Sequence, residues 1–166
     1  MKSRPPTPFR IRRAVPDDRE RLIDIWWRSA SATHRFLSKA QLDELLPDVE
    51  ALRLETLDTW VLCAQPGDAV GFLVMNGRVV EALFIAPEWL RLGGGSRMLR
   101  HARKLAGPLT VEVNEQNGDA LAFYLAQGFE IVRRSALDSA GRPYPLLHLE
   151  EPHAAPASPQ PLQPRF

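Results

Sequence analysis

The chain has 166 residues, of which 45% are hydrophobic and 25% are charged, proportions that predict one globular domain with a single core. Its 21 basic and 20 acidic side chains leave a net charge of +1, so the charge requires neither a nucleic acid nor an anionic membrane as partner. Cys63 is the only cysteine, which excludes an intrachain disulfide and a cysteine metal cluster. The sequence has no signal-peptide pattern and no run of eighteen apolar residues, so we expect a cytoplasmic protein. We also expect it to carry no metal and to be either a monomer or a homodimer.

Proline is concentrated at the two ends of the chain. Three prolines precede the first apolar segment, and five fall within the last fifteen residues, among Ala, Ser and Gln. Such segments cannot bury enough apolar surface to fold. The sequence therefore predicts a flexible basic flank over 1–8, a folded domain over 9–150 and a disordered tail over 151–166.

The domain opens with a predicted strand and two helices, over 9–15, 16–30 and 38–52. Pro16 followed by acidic residues is typical of a helix start, and the break is placed at 31–37. Ser38 with Gln41 three residues later indicates a capping box at the start of the second helix. Pro47 is expected to kink or restart that helix.

Three strands are predicted next, over 60–64, 70–75 and 79–85. Pro66-Gly67-Asp68 separates the first pair, and Asn76-Gly77, a strong hairpin signal, separates the second pair. The third strand is apolar almost throughout except for Glu81. That run indicates a strand in the middle of the sheet, covered on both faces.

The remaining predicted elements are a helix from about 94, a strand over 109–114, a helix over 117–127 and strands over 129–134 and 145–149. In the strand, Leu109, Val111 and Val113 share one face, while Glu112 and Asn114 lie on the other. The resulting order is βααβββαβαββ. We therefore expect an α+β (mixed α/β) domain built around one sheet.

A glycine-rich loop, Arg91-Leu-Gly-Gly-Gly-Ser96, lies between the third of these strands and the helix that follows it. Consecutive glycines let the backbone approach a ligand, and N–H groups at a helix start bind anions such as a pyrophosphate. A plain flexible loop is the alternative. A P-loop is excluded because no Lys follows the glycines, and Met98 occupies the last glycine position of a G-x-G-x-x-G motif.

Three ordered motifs resemble one protein family. R-L-G-G-G-S resembles the R/Q-x-x-G-x-G/A loop of the GNAT superfamily of acyl-CoA N-acyltransferases, with Ser96 in place of the usual Gly or Ala. Upstream, A-L-F-I-A-P resembles the fourth strand of that superfamily. Downstream, N-E-Q-N-G-D-A-L-A-F-Y-L-A-Q-G-F is similar to its N-x-x-A-x-x-F-Y-x-x-x-G-F signature. The runs A-T-H-R-F-L and G-R-P-Y-P-L-L also resemble the small bacterial YjaB branch, described as peptidyl-lysine acetyltransferases.

The resemblance implies a GNAT-like fold, with a single, mostly antiparallel sheet splayed at its fourth and fifth strands and helices on both faces. It implies transfer of the acetyl group of acetyl-CoA to a primary amine, by direct attack in a ternary complex. The amine belongs to a protein lysine, an N-terminus or a small molecule. A non-catalytic acyl-CoA-binding regulatory module is the alternative, because it needs the glycine loop but no catalytic side chains.

The resemblance also implies which residues bind the cofactor. The backbone of the fourth strand would hold the pantetheine arm as an added strand, and the glycine loop would hold the pyrophosphate. Asn117 would bond the CoA arm, cap its own helix, or do both. The implied cofactor-binding residues are Leu83, Phe84, Ile85, Arg91, Leu92, Gly93, Gly94, Gly95, Ser96, Asn117 and Tyr124.

Two catalytic residues follow from the same resemblance. Tyr124, the Tyr of the F-Y motif, would protonate the departing thiolate; its alternative role is a core aromatic on an amphipathic helix. Glu112 occupies the position where ribosomal-protein acetyltransferases carry a catalytic Glu, and would deprotonate the amine. Alternatively it is a solvated strand carboxylate, and an ordered water takes its place.

Four residues fall in segments that flank the acceptor site in this family: Trp27, His34, Asn114 and Tyr144. For His34 the sequence leaves open a substrate contact, a role as base, and an ordinary surface or core position. Cys63 lies in the apolar strand W-V-L-C-A. Such a thiol packs as a small hydrophobe more often than it acts as a nucleophile, so we expect no acetyl-cysteine intermediate.

Overall fold

The computed structural model describes residues 8–65 and 67–153. Within these residues seven strands and four α-helices follow the predicted order βααβββαβαββ. Their bounds are β1 Arg10–Arg13, α1 Arg19–Thr33, α2 Lys39–Ala51, β2 Asp58–Gln65, β3 Asp68–Asn76, β4 Val79–Ile85, α3 Gly94–Ala106, β5 Thr110–Asn114, α4 Gly118–Ala126, β6 Glu130–Ser135 and β7 Leu146–Glu150.

All seven strands form one sheet in the order β1-β2-β3-β4-β5-β7-β6. Every neighbouring pair is antiparallel except β4 and β5, which run parallel and pair only at Val79 with Thr110 and at Val80 with Val111. Beyond these two positions the strands separate. The predicted α+β fold with a mostly antiparallel sheet, splayed at the fourth and fifth strands, is therefore confirmed.

Helices cover the sheet from both sides and enclose two apolar cores. One core contains Met98 of α3, Leu109 just before β5 and Leu149 of β7, none of which is exposed. The other packs Leu22 and Ile25 of α1 against β2 and β3. In β3 seven consecutive residues are buried, because the strand lies between the two cores.

Two helix boundaries differ from the prediction. The first helix continues to Thr33, three residues past its predicted end at Ala30, and the hydroxyls of Ser31 and Thr33 donate to backbone carbonyls four residues earlier. Such bonds let Ser and Thr remain helical. The second helix runs through Pro47 without restarting. The capping box is confirmed: Ser38 Oγ accepts from Gln41 N, and Gln41 Oε1 accepts from Ser38 N.

The fold extends one residue past the predicted boundary at 150. The buried carboxylate of Glu151 accepts from the backbone N–H of Leu109 at 3.0 Å and from Arg103 Nε at 2.5 Å. Most of the two predicted tails, together with Pro66 of the predicted turn, lies outside the described residues. No helix within the described part of the chain is long and apolar enough to cross a membrane.

Candidate active site

The glycine loop turns directly into α3. Gly93 precedes the helix with φ 87°, a left-handed conformation that glycine adopts without a steric penalty. The first N–H groups of any helix have no intrahelical partner, and the helix dipole adds positive potential at this end. The loop and the first turn of α3 therefore form a site suited to an anion.

Two of the glycines also permit close packing. A Cβ on Gly94 would lie 2.7 Å from Leu62 Cδ2, and one on Gly95 would lie 3.0 Å from Phe123 Cζ. The start of α3 therefore fits tightly between β2 and α4. This packing role distinguishes the loop from a merely flexible segment.

A cavity of about 530 Å³, which we call the glycine-loop cavity, opens beside this turn. It brings together nearly all the predicted cofactor-binding residues: Leu83, Phe84, Ile85, Arg91, Gly93, Gly94, Gly95, Ser96, Asn117 and Tyr124. Leu92 is the exception, since its side chain packs against the core between the sheet and α3. Ser29, Thr33 and Trp89 also line the cavity; no local sequence pattern marked them.

Tyr124 both packs in the core and faces this cavity. Only 7% exposed, its ring makes edge-on contacts with Phe123 and Phe129. Burial raises the pKa of its hydroxyl above the usual value, so the group keeps its proton at neutral pH. The residue also lines the glycine-loop cavity.

Asn117 caps α4 from the floor of the same cavity. Its Oδ1 accepts from the backbone N–H of Ala120 at 3.2 Å, and the residue is buried. The capping role foreseen from the sequence is confirmed. Its side-chain amide remains on the cavity wall, so capping and ligand contact are compatible.

A second cavity of about 570 Å³ lies where β4 and β5 separate. We call it the β5 cavity. Its walls come from both strands, from the segment between α1 and α2, and from the segment between β6 and β7. The side chains that matter for its chemistry are Phe36, Glu81, Glu112, Asn114, Asp138, Arg142 and Tyr144.

Hydrogen bonds hold the segment between β6 and β7 over this cavity. Gln41 Nε2 donates to the Tyr144 hydroxyl at 2.7 Å, which ties the segment to the start of α2. Asp138 accepts from the backbone N–H of Arg142 at 2.8 Å and from its Nε at 2.7 Å. The charge of Arg142 is thereby balanced by Asp138. The carboxylates of Glu81 and Glu112 then give the cavity a net negative charge.

Glu112 belongs to a polar cluster on the open face of β5, β7 and β6. Its Oε1 lies 2.9 Å from His148 Nδ1, and His148 Nε2 lies 2.9 Å from Ser135 Oγ. Arg133 reaches the same group, with Nη1 3.0 Å from Ser135 Oγ and Nη2 3.1 Å from His148 Nδ1. No local sequence pattern marked His148 or Ser135, because both join the cluster through strand register.

The other predicted acceptor-site residues divide between different places. Asn114 and Tyr144 line the β5 cavity. His34 instead lines the glycine-loop cavity, where its ring lies near Phe84 and burial lowers its pKa. Trp27 lines neither of these two cavities and packs against the core beneath α1.

The two cavities are neighbours along one strand. Leu83–Ile85 of β4 line the glycine-loop cavity, and Val79–Glu81 of the same strand line the β5 cavity. Tyr124 faces the first and Glu112 the second. Among the described residues no group of three His, Cys, Asp or Glu side chains is placed to hold a metal.

Comparison with known proteins agrees with this geometry. The family described as Acetyltransferase (GNAT) domain matches residues 55–131. The chain is 43% identical over 145 residues to the peptidyl-lysine N-acetyltransferase YjaB of Salmonella typhimurium, covering 86% of this chain and 97% of that protein. The solution structure of apo-form YjaB from Escherichia coli superimposes with a TM-score of 0.81 and 39% identity, over 89% of this chain and 99% of that one.

A more distant structure shares the fold. The PaiA N-acetyltransferase of Thermoplasma acidophilum, solved in complex with coenzyme A, has a TM-score of 0.73 at 17% identity, over 88% of this chain and 99% of that one. The chain belongs to the GNAT family of N-acetyltransferases. The alternative of a non-catalytic acyl-CoA-binding module is not favoured, since the similar proteins are named as enzymes.

Proposed function

We propose that this enzyme transfers the acetyl group of acetyl-CoA to the side-chain amine of a peptidyl lysine. The observation that carries the proposal is the placement of two cavities along β4, one beside an anion-binding helix start and one lined by carboxylates. The names of the YjaB relatives from Salmonella typhimurium and Escherichia coli support the choice of lysine.

The glycine-loop cavity fits the donor. The N–H groups of Gly93–Ser96 and the nearby Arg91 supply positive potential for a pyrophosphate. Over Leu83–Ile85 the side of β4 that faces β5 has no strand partner within the part of the chain that the structure describes. Its backbone groups can therefore bond the amides of a pantetheine arm as a neighbouring strand would, with the acetyl end directed toward the β5 cavity.

The β5 cavity fits the acceptor. A lysine side chain combines an apolar stem with a cationic head. Phe36 and Tyr144 offer aromatic surface to the stem, while Glu81 and Glu112 offer negative charge to the ammonium group. Attraction to these carboxylates would draw a lysine into the cavity before the reaction.

The chemistry needs one group to remove a proton and another to supply one. A lysine amine has a pKa of about 10.4 in water, so it arrives protonated and cannot attack. Glu112 accepts that proton, and the neutral amine attacks the thioester carbonyl. As the carbon–sulfur bond breaks, the Tyr124 hydroxyl protonates the departing sulfur, and the new amide nitrogen loses its remaining extra proton to water. Transfer is direct, because the thiol of Cys63 is buried in β2. A reducing cytoplasm, where a lone thiol stays free, suits this protein.

An acceptor screen tests the proposal. The protein would be incubated with acetyl-CoA and a panel of lysine peptides, the same peptides with Arg in place of Lys, free lysine, polyamines and an aminoglycoside. Mass spectrometry should detect one added acetyl group on the lysine peptides only. Transfer confined to the N-terminal amines or to the small molecules would overturn the peptidyl-lysine assignment.

A further inference from the structure

We infer that His34 is a second proton acceptor in the transfer reaction, which takes a proton from the attacking nitrogen and passes it to water. The inference rests on the proposed function, in which Glu112 removes only the first of two protons. A lysine ammonium group loses one proton before it attacks and another afterwards, because the nitrogen that has bonded to the carbonyl carbon carries a positive charge. Glu112 is by then protonated and cannot take the second proton.

His34 lies at the junction of the two cavities. The residue follows α1 and lines the glycine-loop cavity. Its ring centroid is 6.3 Å from that of Phe84, which lines the same cavity, and 5.5 Å from that of Phe36, which lines the β5 cavity. An acetyl group held along β4 and a lysine that enters the β5 cavity would meet beside this ring. The imidazole is therefore placed to contact the reacting atoms.

The hydrogen bonds of Thr33 determine which nitrogen of His34 is basic. Thr33 Oγ1 donates its single hydrogen to Ser29 O at 2.8 Å, and the same oxygen lies 3.1 Å from His34 Nδ1. With its hydrogen so engaged, the hydroxyl can only accept a hydrogen bond from Nδ1–H. A neutral imidazole that is protonated at Nδ1 carries its lone pair on Nε2. Nε2, on the part of the ring directed away from Thr33, is therefore the atom that can take a proton.

Burial keeps this base in its neutral form before the reaction. The pKa of His34 is lowered below the ordinary 6.5 because the ring is withdrawn from water, an effect that a backbone hydrogen bond at Ala30 offsets in part. The imidazole is then mostly unprotonated at pH 7 and can accept a proton. The same low pKa allows it to release that proton to water after the transfer.

The protons balance over one turnover. Glu112 takes one proton from the ammonium group before the carbon–nitrogen bond forms. As the oxyanion re-forms the carbonyl and the carbon–sulfur bond breaks, Tyr124 gives the sulfur a proton and His34 takes the extra proton of the nitrogen. Glu112 and His34 then release one proton each to water, and Tyr124 regains one. One proton is liberated for each amide formed, as the acetylation of a protonated lysine requires.

Two histidine variants test the role of His34. His34→Gln keeps a polar side chain whose amide oxygen accepts a hydrogen bond but does not take up a proton. His101→Gln is the matched control, because the ring of His101 packs on Trp60 and lines neither of the two cavities. Single-turnover rates with a lysine peptide, KM for acetyl-CoA and melting temperature would be measured for both variants and for Glu112→Gln.

We expect His34→Gln to slow the single turnover roughly 10²-fold or more, the usual effect of removing a positioned base. The KM for acetyl-CoA and the melting temperature at pH 7 should be nearly unchanged, because the substitution leaves the glycine loop and the core in place. His101→Gln should keep the wild-type rate.

A second acceptor distinguishes the two protons. Fluorine on the carbon next to the amine-bearing carbon of the lysine side chain makes the amine less basic, so it arrives largely neutral and only the proton lost after attack remains to be removed. With this peptide the loss caused by Glu112→Gln should largely disappear, while the loss caused by His34→Gln should persist.

A wild-type rate in His34→Gln would overturn the inference. So would a loss that disappears with the fluorinated peptide, or one explained by weaker binding of acetyl-CoA. If instead Glu112→Gln keeps the wild-type rate with the ordinary lysine peptide, or if the wild type acetylates no lysine peptide, the proposed function fails. These outcomes concern different variants and acceptors, so the two failures are distinguishable.

Discussion

Tyr124 shows how one side chain serves packing and chemistry together. Its ring lies between Phe123 and Phe129 in the core, and the residue also lines the glycine-loop cavity. The alternatives that the sequence left open, a core aromatic or an acid, are compatible in this geometry. Burial keeps the hydroxyl protonated by raising its pKa.

Tyr124→Phe separates these two contributions. The ring still packs, so we expect the melting temperature to be nearly unchanged, and CoA affinity should lose at most one hydroxyl contact, about 0.5–1.5 kcal/mol. The kcat should fall by roughly 10²–10⁴ if the hydroxyl protonates the leaving thiolate. Steady-state kinetics measures kcat, and calorimetry on the same variant measures the CoA affinity and the melting temperature. An unaltered kcat, with chemistry limiting in the wild type, would remove Tyr124 from the mechanism.

Cys63→Ala tests direct transfer. The thiol is 4% exposed within β2, so it cannot reach a bound acyl group, and most of the activity should remain. The loss of one small buried group should lower stability by about 1 kcal/mol. A folded but inactive variant, together with an acetylated cysteine trapped by mass spectrometry in the wild type, would overturn direct transfer.

His34 predicts a pH dependence of stability. Burial lowers its pKa below the ordinary 6.5, so the unfolded chain takes up a proton at a higher pH than the folded chain does. Stability should therefore fall as the pH drops below about 6.5. His34→Gln should make the melting temperature fall less steeply with acidity than in wild type. Identical slopes over this range would contradict burial as the cause.

At the scale of elements, the turn from β4 into α3 is the feature on which the proposed donor site depends. Gly93 takes a left-handed conformation, and Gly94 and Gly95 pack against β2 and α4. A Cβ at position 94 would lie 2.7 Å from Leu62 Cδ2. A substitution of Gly94 would therefore test packing as much as binding. Ser96 in the first turn of α3 lines the cavity without that constraint, so it is the better position for a test.

Ser96→Asp places a negative charge where the pyrophosphate should bind. An acidic residue in the first turn of a helix is favourable for the helix, and either Asp or Asn can still accept from Gln127 Nε2, as Ser96 does at 2.8 Å. We expect CoA affinity to fall about tenfold or more in Ser96→Asp through repulsion, and much less in Ser96→Asn. Calorimetric titration measures both, and equal affinities would place the pyrophosphate elsewhere.

At the scale of the whole molecule, the sheet is nearly divided at its centre. Only two register positions join β4 to β5, while β1–β4 and β5–β7 are each extensively paired. Each part also has helices packed on it. A ligand that bonds the free side of β4 would strengthen the weakest junction of the fold.

Hydrogen exchange can detect that effect. At a saturating concentration, acetyl-CoA should slow hydrogen exchange about tenfold or more at the amides of Leu83–Ile85 that face β5 and at the first turn of α3. The amides of β2, already bonded on both sides by β1 and β3, should change little and serve as the internal control. Protection absent from β4 would contradict the pantetheine site.

The sequence predicted the elements well, because the signals that define them are local. The Asn76-Gly77 turn, the Ser38 capping box and the alternation of Leu109, Val111 and Val113 each depend on neighbouring residues. Its error at the end of α1 arose where side-chain hydrogen bonds from Ser31 and Thr33 carried the helix past the predicted break. The glycine loop was also recognisable, since an anion site at a helix start is built from consecutive residues.

The place of each candidate residue within the site was decided by tertiary structure. His34 and Glu112, both proposed as bases, line different cavities, and Trp27 lines neither. The partners of Glu112 come from positions 135 and 148, on strands whose register no local pattern encodes. By itself the sequence determined the order of elements and the place where a glycine-rich turn meets a helix start, because these depend on neighbouring residues. The splay, the two cavities and the pairing of Glu112 with His148 depend on contacts between distant segments, and only the folded chain fixes those.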